Sequence, residues 1–369
     1  MTKSLLKRFY IFTDYMRNLS WLLFPFSLLY GLVIIIRNWC YDAGILKSRH
    51  FSIPVICVGN LEVGGAGKSP MTEYLVRLFK REYQLATLSR GYGRETQGYL
   101  TATDSTTPEQ IGDEPVQFKH KFPDITVAVC EDRVEGIREL RATHNLIILD
   151  DGYQHRAVKP GFSILLFDHG KIDKPHLLIP AGNMREPFSS RWRAEVLIVT
   201  KCPVDLPADE QTRIADILQP LPFQSLFFTK ISYQPLQDLD GKGVDLILYP
   251  DTTVFLLTGI ANPLPLEQHI RGYTQNIVHH NYADHHRFSL KNIAKLAGEF
   301  AACQAQKKVI ITTEKDAQRL LEHELRRALK ELPILVMPVA TEFLDNSGPQ
   351  FDNLVKEYVR EHSANHVIH

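Results

Sequence analysis

Hydrophobic and polar positions divide the chain into two contrasting parts. Residues 18–36 carry no charge, and the stretch WLLFPFSLLYGLVIII within them is almost wholly apolar. From about residue 50 onward, short apolar runs rich in β-branched residues alternate with helical stretches. Buried strands that alternate with helices are typical of a parallel sheet covered by helices on both faces. The pattern therefore predicts a doubly wound, mostly parallel α/β fold preceded by one apolar helix.

The expected elements fall into two blocks. In the first block, strands are expected at 53–58, 85–88, 126–130, 146–149, 164–167 and 196–200, with helices at 70–81 and 133–142. The second block starts near Ser225, with strands at 227–233, 254–257, 308–312, 334–338 and 339–343 and a last helix over about 347–361. The predicted domains are an N-terminal helical segment (1–50), a main α/β domain (51–225, completed by about 340–369) and a smaller α/β domain (226–339).

The N-terminal apolar run is long enough to interact with a bilayer. A helix over residues 18–36 would be about 28 Å long, close to the thickness of a bilayer core. An interfacial or shallowly inserted helix is favoured, because Pro25, Ser27, Tyr30 and Gly31 interrupt the run and basic residues flank it on both sides. A spanning helix stays open. A cleaved signal peptide and a buried core helix fit the pattern less well.

Composition and charge narrow the possible partners. The chain has 369 residues, of which 44% are hydrophobic, so it can bury a core in two domains. Lysine plus arginine equals aspartate plus glutamate, at 42 each, and this balance argues against a nucleic-acid partner. The five cysteines form no C-x-x-C pair, which is typical of a reduced, intracellular protein without a zinc or disulfide framework. A monomer is expected.

A glycine-rich segment follows the first predicted strand and ends in Gly-Lys-Ser at the start of a helix. Such glycines let backbone N–H groups approach phosphate oxygens, and the helix N-terminus adds partial positive charge. Lys68 can reach the β- and γ-phosphates of a nucleotide, and the Ser69 hydroxyl can ligate magnesium. Glu62 stands where the full G-x-x-x-x-G-K-[ST] pattern has its first glycine, so the loop resembles the Gly-Gly-x-Gly-Lys-Thr variant. The candidate nucleotide-binding residues are Val63, Gly64, Gly65, Ala66, Gly67, Lys68, Ser69 and Pro70.

Two adjacent carboxylates end another apolar strand. The sequence Asn145-Leu-Ile-Ile-Leu-Asp150-Asp151 has the form of a Walker B element. An aspartate at the carboxyl end of such a strand lies beside the phosphate loop, where magnesium sits. One carboxylate is expected to contact the metal and the other to orient water or substrate, although either alone could merely cap the following turn.

The ordered set of motifs resembles the tetraacyldisaccharide 4′-kinase (lipid A 4′-kinase) family. The matching motifs are PVICVGNLEVGGAGKSP at 54–70, LSRGYGR at 88–94, GDEP at 112–115, EDR at 131–133, LDDGYQHR at 149–156, PAGNMREP at 180–187, TGIANP at 258–263 and TTEKD at 312–316. The apolar N-terminal helix and the segment Asp284-His285-His286 also match. The resemblance covers the chain to about residue 316.

This resemblance implies a late step of lipid A biosynthesis. The implied reaction transfers the γ-phosphoryl group of ATP, with Mg²⁺, to the 4′-hydroxyl of a tetraacylated glucosamine disaccharide 1-phosphate. It also implies a P-loop NTPase-like domain joined to the smaller α/β domain by a β-ribbon hinge. The expected location is peripheral or monotopic, on the cytoplasmic face of the bacterial inner membrane, where the glycolipid substrate resides.

Family roles carry over onto matching residues of this chain. Asp113 corresponds to the candidate base, and His285 to the histidine that pairs with it, although adjacent His286 leaves open which imidazole faces the site. Lys68 and Asp150 complete the implied catalytic set. The implied magnesium ligands are Ser69, Asp151 and Glu186. Arginines that could bind the substrate phosphate or the ATP phosphates are Arg90, Arg94, Arg133 and Arg185. Closure of the two domains is expected to assemble the site.

Three other kinds of protein are alternatives to a lipid kinase. A P-loop GTPase usually needs an Asn/Thr-Lys-x-Asp strand end, and Thr200-Lys201-Cys202-Pro203 has proline in place of the aspartate. A metal-insertion ATPase should show a metal-binding cluster, for which the only candidates are the pairs 279–280 and 285–286, both His-His. A membrane-binding module with an inactive nucleotide site is disfavoured, because the loop lysine and hydroxyl and all three aspartates are present.

Overall fold

The computed structural model describes residues 3–284 and 286–367, with side chains from residue 22 onward except at 323 and 365–367. Along these residues the strands are β1 (Val55–Asn60), β2 (Leu85–Ser89), β3 (Leu100–Thr101), β4 (Thr126–Val129), β5 (Leu146–Asp150), β6 (Phe162–Asp168), β7 (Val196–Thr200), β8 (Ser225–Tyr233), β9 (Thr253–Thr258), β10 (Ile277–Asn281), β11 (Lys308–Thr313), β12 (Ile334–Met337) and β13 (Val339–Phe343). The α-helices are α1 (Lys3–Asp42), α2 (Lys68–Phe79), α3 (Pro108–Ile111), α4 (Asp113–Lys121), α5 (Arg133–Leu140), α6 (Ala208–Leu218), α7 (Leu264–Arg271), α8 (Leu290–Ala302), α9 (Glu314–Leu320), α10 (His323–Leu329) and α11 (Gly348–Val367).

The chain forms two compact units. The first contains the residues up to Arg90, Cys130–Lys230 and those from Glu342 onward, and the second contains Gly91–Val129 and Ile231–Thr341. Two of the connections run through β8 and β13, which are neighbouring strands. The domain limits drawn on the sequence stay a prediction. They assign residues 91–129 to the main domain, whereas in the structure this segment packs with the second unit.

Parallel strands form the centre of the first unit. Their order is β8-β7-β6-β1-β5-β2, and every neighbouring pair among them is parallel. β1 lies between β5 and β6, with Val55 opposite Ile147 and Ile56 opposite Phe162. Every residue of β1, β5 and β7 is buried, as expected for strands covered by helices on both faces. All carboxyl ends of these strands therefore meet at one edge of the sheet.

The second unit has its own parallel sheet, in the order β10-β9-β11-β12. Alternate residues of β9 enter two different clusters, because successive side chains of a strand point to opposite faces. Phe255 packs with Phe300 of α8 on one face, and Val254 packs with Ile270 of α7 on the other. Across this unit, α4 lies against α9, where Lys121 and Glu314 form an ion pair of 2.5 Å.

Helix α1 combines contacts to the first unit with a large exposed apolar surface. The Ser27 hydroxyl donates to the Leu178 carbonyl (2.9 Å) and accepts from the Ala181 amide (2.8 Å). Tyr30 donates its phenolic proton to the Arg185 carbonyl at 2.8 Å. The segment from Leu22 to Asp42 is long and apolar enough to cross a membrane by length and composition. The helix continues through Pro25, although this proline interrupts the apolar run in the sequence.

Exposed apolar side chains lie along most of this helix. The large ones are Leu22, Phe26, Leu28, Leu29, Leu32, Val33, Ile35, Ile36 and Trp39. Contiguous exposed apolar surface on this scale marks a site of interaction with a membrane or another protein. The polar anchors Ser27 and Tyr30 instead face the first unit.

Candidate active site

The phosphate loop joins β1 to α2 in the first unit. Gly64 has φ of 101° and Gly67 has φ of 85°, both in the left-handed region that side chains disfavour. Helix α2 begins at Lys68, directly after Gly67, so its first amide groups face the loop. Pro70 lies in the first turn, where its missing N–H costs little. The loop thus has the backbone form of an anion-binding turn.

The Lys68 ammonium lies against two oxygen atoms of the same unit. Its Nζ donates to Asn60 Oδ1 at 3.1 Å and lies 3.7 Å from Asp151 Oδ1. Asn60 ends β1 and is only 1% exposed. Its Nδ2 group donates to the Glu62 carbonyl at 2.8 Å, which turns its Oδ1 toward Lys68. Asn60 therefore positions the loop lysine beside the Walker B strand.

The two adjacent aspartates at the end of β5 have different environments. Asp150 is 4% exposed and accepts from the Thr72 hydroxyl of α2 at 3.2 Å. Asp151 has a left-handed φ of 52° and receives both Nη groups of Arg185, at 2.8 and 3.1 Å. Burial opposes ionisation of Asp151, but the Arg185 hydrogen bonds and the Lys68 charge outweigh it, so its pKa is lowered.

The rest of the motif at 149–156 supports this arrangement. Gln154 donates to the Asn60 carbonyl at 2.9 Å, and the Tyr153 hydroxyl donates to the Ser190 carbonyl at 2.7 Å. A Cβ on Gly59 would lie 2.5 Å from Tyr153 Cβ, so only glycine permits this close approach. Arg156 donates to the Asn38 carbonyl of α1 at 2.9 Å. The motif therefore fixes both the loop strand and the N-terminal helix.

Arg133, one of the four candidate phosphate-binding arginines, is almost fully buried near the carboxylates. Its Nη1 donates to the carbonyls of Cys130 (3.2 Å) and Glu131 (3.1 Å). Burial lowers its pKa, and the charges of Asp151 and Arg90 also act on it. Arg133, Arg185 and Arg90 thus belong to the first unit, close to the phosphate loop or its acidic partners. Arg94 belongs to the second unit and donates to the Gly98 carbonyl at 2.7 Å.

Asp113 lies in the second unit, at the start of α4. Its Oδ2 accepts from Arg319 Nε at 3.1 Å and Nη2 at 3.0 Å. Arg319 is 8% exposed and also donates from Nη1 to the Gly259 carbonyl (3.0 Å) and Asp316 Oδ1 (3.1 Å). Burial raises the pKa of Asp316, against the hydrogen bonds from Gly259 and Thr313. This network connects the motifs at 112–115, 258–263 and 312–316.

The predicted histidine partner, His285, lies outside the described residues. Its neighbour His286 stacks on Tyr282 at 4.5 Å, and its Nε2 lies 3.2 Å from Asn292 Oδ1. The side chain of His286 is therefore engaged within its own unit. His279 is similarly held by Glu267 (3.1 Å) and Thr258 (2.8 Å), which gives it a structural role.

The comparison with known proteins decides the family. A sequence model of the family described as tetraacyldisaccharide-1-P 4′-kinase matches residues 19–360. The chain belongs to this family. Its predicted family and fold class are thereby confirmed.

Relatives and a solved structure agree with this membership. The tetraacyldisaccharide 4′-kinase of Bacteroides thetaiotaomicron is 41% identical over 358 residues, covering 93% of this chain and 94% of that protein. The one from Flavobacterium johnsoniae is 40% identical, covering 94% of this chain and 99% of that protein. A crystal structure of LpxK from Aquifex aeolicus in complex with ATP has a TM-score of 0.72 at 26% identity, covering 92% of this chain and 99% of that chain.

The polar groups of the loop suit a magnesium–nucleotide complex. Ser69 lies in the first turn of α2 and is 9% exposed. One turn further along the same helix, the Thr72 hydroxyl donates to the buried carboxylate of Asp150. Among the described residues, no group of three or more His, Cys, Asp or Glu side chains is arranged to hold a metal ion. Magnesium in phosphoryl-transfer enzymes binds one or two protein oxygens and completes its coordination shell with phosphates and water. The oxygen atoms of Ser69 and Asp150 are therefore of the kind that magnesium binds.

Glu186, one of the expected magnesium ligands, lies in a cluster of ion pairs. It is 0% exposed, and both of its oxygens accept from guanidinium groups: Oε1 from Arg37 at 3.1 Å, and Oε2 from Arg193. Arg37 belongs to α1, which the sequence pattern could not place against residue 186. The geometry favours a structural ion-pair cluster that holds α1 on the first unit, because both oxygens accept from guanidinium groups.

Replacing Glu186 with glutamine is expected to destabilise the protein by about 3 kcal/mol, because it leaves two guanidinium groups without a counter-charge in a buried cluster. Urea unfolding of the wild-type protein and the variant would measure the difference in the free energy of unfolding. The exposed Glu82→Gln is the matched control and should change stability by less than about 0.5 kcal/mol. Wild-type stability together with a raised magnesium requirement would contradict the structural role and support the metal-ligand prediction.

Sequence reasoning missed Asn60, Thr72 and Arg319. Asn60 stands inside the recognised loop motif, but the pattern assigns no role to the position after the strand's glycine. Thr72 lies one turn beyond Ser69 on α2. Because residues three apart lie on one helix face, this spacing could have indicated that Thr72 faces the same site as Ser69. Arg319 is 206 residues from Asp113, so no local pattern could have paired them.

Proposed function

We propose that the protein transfers the γ-phosphoryl group of ATP to the 4′-hydroxyl of a tetraacylated glucosamine disaccharide 1-phosphate. The observation that carries the proposal is Lys68, held between Asn60 and Asp151 in a chain that belongs to the tetraacyldisaccharide-1-P 4′-kinase family over residues 19–360. Phosphoryl transfer depends on positioning and charge neutralisation rather than covalent catalysis. A loop lysine, a helix N-terminus and paired carboxylates are the parts that this chemistry uses.

Residue roles follow from this chemistry. Lys68 neutralises charge on the transferred phosphoryl group, and the amide groups that open α2 bind phosphate oxygens. Ser69, Asp150 and Asp151 would hold magnesium, which supplies a positive charge shared between the phosphates. Arg185 keeps Asp151 ionised and oriented through its paired hydrogen bonds.

Asp113 is assigned the role of base for the sugar hydroxyl. Arg319 fixes its carboxylate through two donors to one oxygen, so the group is oriented before substrate binds. His285 is assigned as its partner on the basis of the family motif alone. Arg90, Arg94 and Arg133 are proposed to bind phosphate groups, with Arg133 held by the backbone carbonyls of residues 130 and 131.

The exposed apolar face of α1 supports a location at the membrane. We assign it to the cytoplasmic face of a bacterial inner membrane, where ATP and the acylated substrate meet. Ser27 and Tyr30 bind this helix to the first unit, so its exposed side is the one available to lipid. An interfacial position suits a helix with one face occupied by protein.

The direct test is transfer of label from γ-labelled ATP, with magnesium, to the tetraacyldisaccharide 1-phosphate in mixed detergent micelles. Labelled lipid is expected with the wild-type protein and not with Lys68→Ala. Replacing the lipid by the same disaccharide already phosphorylated at the 4′ position should abolish labelling. ATP hydrolysis without labelled lipid would contradict the proposal and indicate another acceptor.

A further inference from the structure

The phosphate loop of this chain carries a carboxylate near its start. Glu62 stands where the full glycine pattern has its first glycine, and its side chain is only 17% exposed. Backbone hydrogen bonds fix the chain on either side of it. The Arg185 amide donates to the Leu61 carbonyl at 2.7 Å. The Val63 amide donates to the Asn183 carbonyl at the same distance. Glu62 therefore stays in the loop unless these hydrogen bonds break.

A negative charge in an anion-binding turn opposes the binding of a nucleotide. The N–H groups of the loop and the N-terminus of α2 supply only partial positive charges, whereas a triphosphate carries several full negative ones. Near a protein surface the effective dielectric constant is about 20 rather than 80, so charges several ångströms apart still interact strongly. The Glu62 carboxylate therefore weakens nucleotide binding unless a positive charge balances it.

A lysine from another segment lies against this carboxylate. Lys171 Nζ is 3.4 Å from Glu62 Oε2 and 3.4 Å from the Val63 carbonyl oxygen. A Cβ on Gly64 would lie 3.5 Å from the same Nζ, so the ammonium group touches the loop itself. The Lys171 side chain is 23% exposed, so water screens the ion pair only in part. The positive charge of Lys171 is thus a component of the phosphate loop.

The fold fixes the position of Lys171 at the edge of the sheet. Strand β6 ends at Asp168, whose carboxylate accepts from the Gly170 amide at 3.0 Å and caps the short 3-10 helix His169–Lys171. Ile172 follows this turn and is buried in the first unit. Because a capped turn precedes Lys171 and a buried side chain follows it, the backbone holds the lysine beside the loop.

A second lysine at the same edge has a different function. The Lys201 ammonium donates to the Gly65 carbonyl of the loop and to Asp168 Oδ2, the latter at 2.7 Å. Its charge is therefore already balanced by the Asp168 carboxylate. Lys171 is the lysine placed to balance Glu62.

We propose that Lys171 is a positioning residue for nucleotide binding, whose ammonium neutralises the Glu62 carboxylate so that the phosphate loop accepts a nucleoside triphosphate. The inference rests on the proposed use of ATP. Lys171 acts through Glu62 and the loop rather than by contacting the phosphates. A glycine at position 62 would need no counter-charge, so the lysine is required only because the carboxylate is present.

The test measures the affinity of the full-length protein in detergent for ATP with magnesium, at low salt, where charge effects are largest. Lys171→Met should weaken ATP binding about tenfold, because it leaves the carboxylate unbalanced. Lys171→Arg keeps the charge and should retain the wild-type affinity. The matched control is Lys174→Met, which removes the charge of an exposed lysine in the following turn and should leave ATP affinity unchanged.

A double variant separates neutralisation of Glu62 from direct contact with the phosphates. Adding Glu62→Gln to Lys171→Met removes both charges and should return the ATP affinity to within about twofold of wild type. A loss in the double variant equal to that in Lys171→Met would overturn the proposal, because the lysine would then act independently of the carboxylate. Unchanged ATP affinity in Lys171→Met would overturn it as well.

Steady-state kinetics give a readout that general damage to the fold would not produce. Lys171→Met should raise the KM for ATP about tenfold, with turnover at saturating ATP within about threefold of wild type. A loss confined to turnover, with KM unchanged, would contradict a role in nucleotide binding. Failure of the wild-type protein to bind ATP at all would instead contradict the proposed function, so the two failures are distinguishable.

Discussion

Asp113→Asn is expected to lower the turnover number about a hundredfold to ten-thousandfold, with little change in ATP affinity. Asparagine keeps the shape of the side chain and can still accept from Arg319, but it cannot take the proton of the sugar hydroxyl. The Arg319 donors, at 3.0 and 3.1 Å, should preserve the local structure in the variant. Initial rates of lipid phosphorylation at saturating ATP and lipid measure the effect.

The neighbouring residue offers a matched control for this prediction. Glu114 lies in the same first turn of α4 and forms a 2.6 Å ion pair with Lys315. Glu114→Gln removes a carboxylate one position away and should retain turnover near the wild-type value. Wild-type turnover in Asp113→Asn would exclude a role as base. Equal losses in both variants would point to damage of the helix rather than to lost proton transfer.

A second large effect is expected from Lys68→Met, which should lower the turnover number about a hundredfold to a thousandfold. Methionine keeps the length of the side chain and removes its charge. The variant lacks the positive charge that the loop places next to the transferred phosphoryl group. This charge matters most in the transition state, where it stabilises the phosphoryl oxygens. Single-turnover phosphorylation of the lipid, with ATP in excess, separates this loss from slow product release.

The same helix supplies the control for Lys68. Lys80 follows the C-terminal end of α2, away from the loop, and Lys80→Met should leave turnover unchanged. Asn60→Ala adds a graded comparison: it removes the Oδ1 acceptor that holds Lys68 at 3.1 Å and should weaken catalysis less than Lys68→Met. Unaltered single-turnover rates in Lys68→Met would remove this lysine from the reaction and leave the helix N-terminus and magnesium as the sources of charge.

The candidate site was predictable where its residues are close in sequence. Val63–Pro70 form a glycine-rich turn and the start of α2, and local backbone geometry decides their arrangement. Asp150 and Asp151 end a fully buried strand, and parallel strands bring their carboxyl ends to one edge. The predicted strand at 196–200 agrees with β7 for the same reason, since a short run of apolar residues before Thr200 is stable as a buried central strand.

Contacts between distant segments were not predictable in this way. Glu186 reads as an acidic ligand within its motif, but the structure places it between Arg37 of α1 and Arg193. The charge of a carboxylate is fixed by the sequence, whereas its partner depends on which surfaces pack together. A fully buried carboxylate between two guanidinium groups is costly to uncouple from them, so this ion-pair cluster is a strong constraint on the packing of α1.

By itself, the sequence determined the α/β class, the phosphate loop, the acidic strand end and the apolar N-terminal helix. Each depends on residue types at short spacing, where backbone sterics and hydrophobic periodicity act directly. Only the tertiary structure decided that residues 91–129 pack with the second unit, that Arg319 orients Asp113 and that Lys201 lies along the phosphate loop. These outcomes depend on the packing of segments separated by more than a hundred residues, and local patterns carry no information about such pairings.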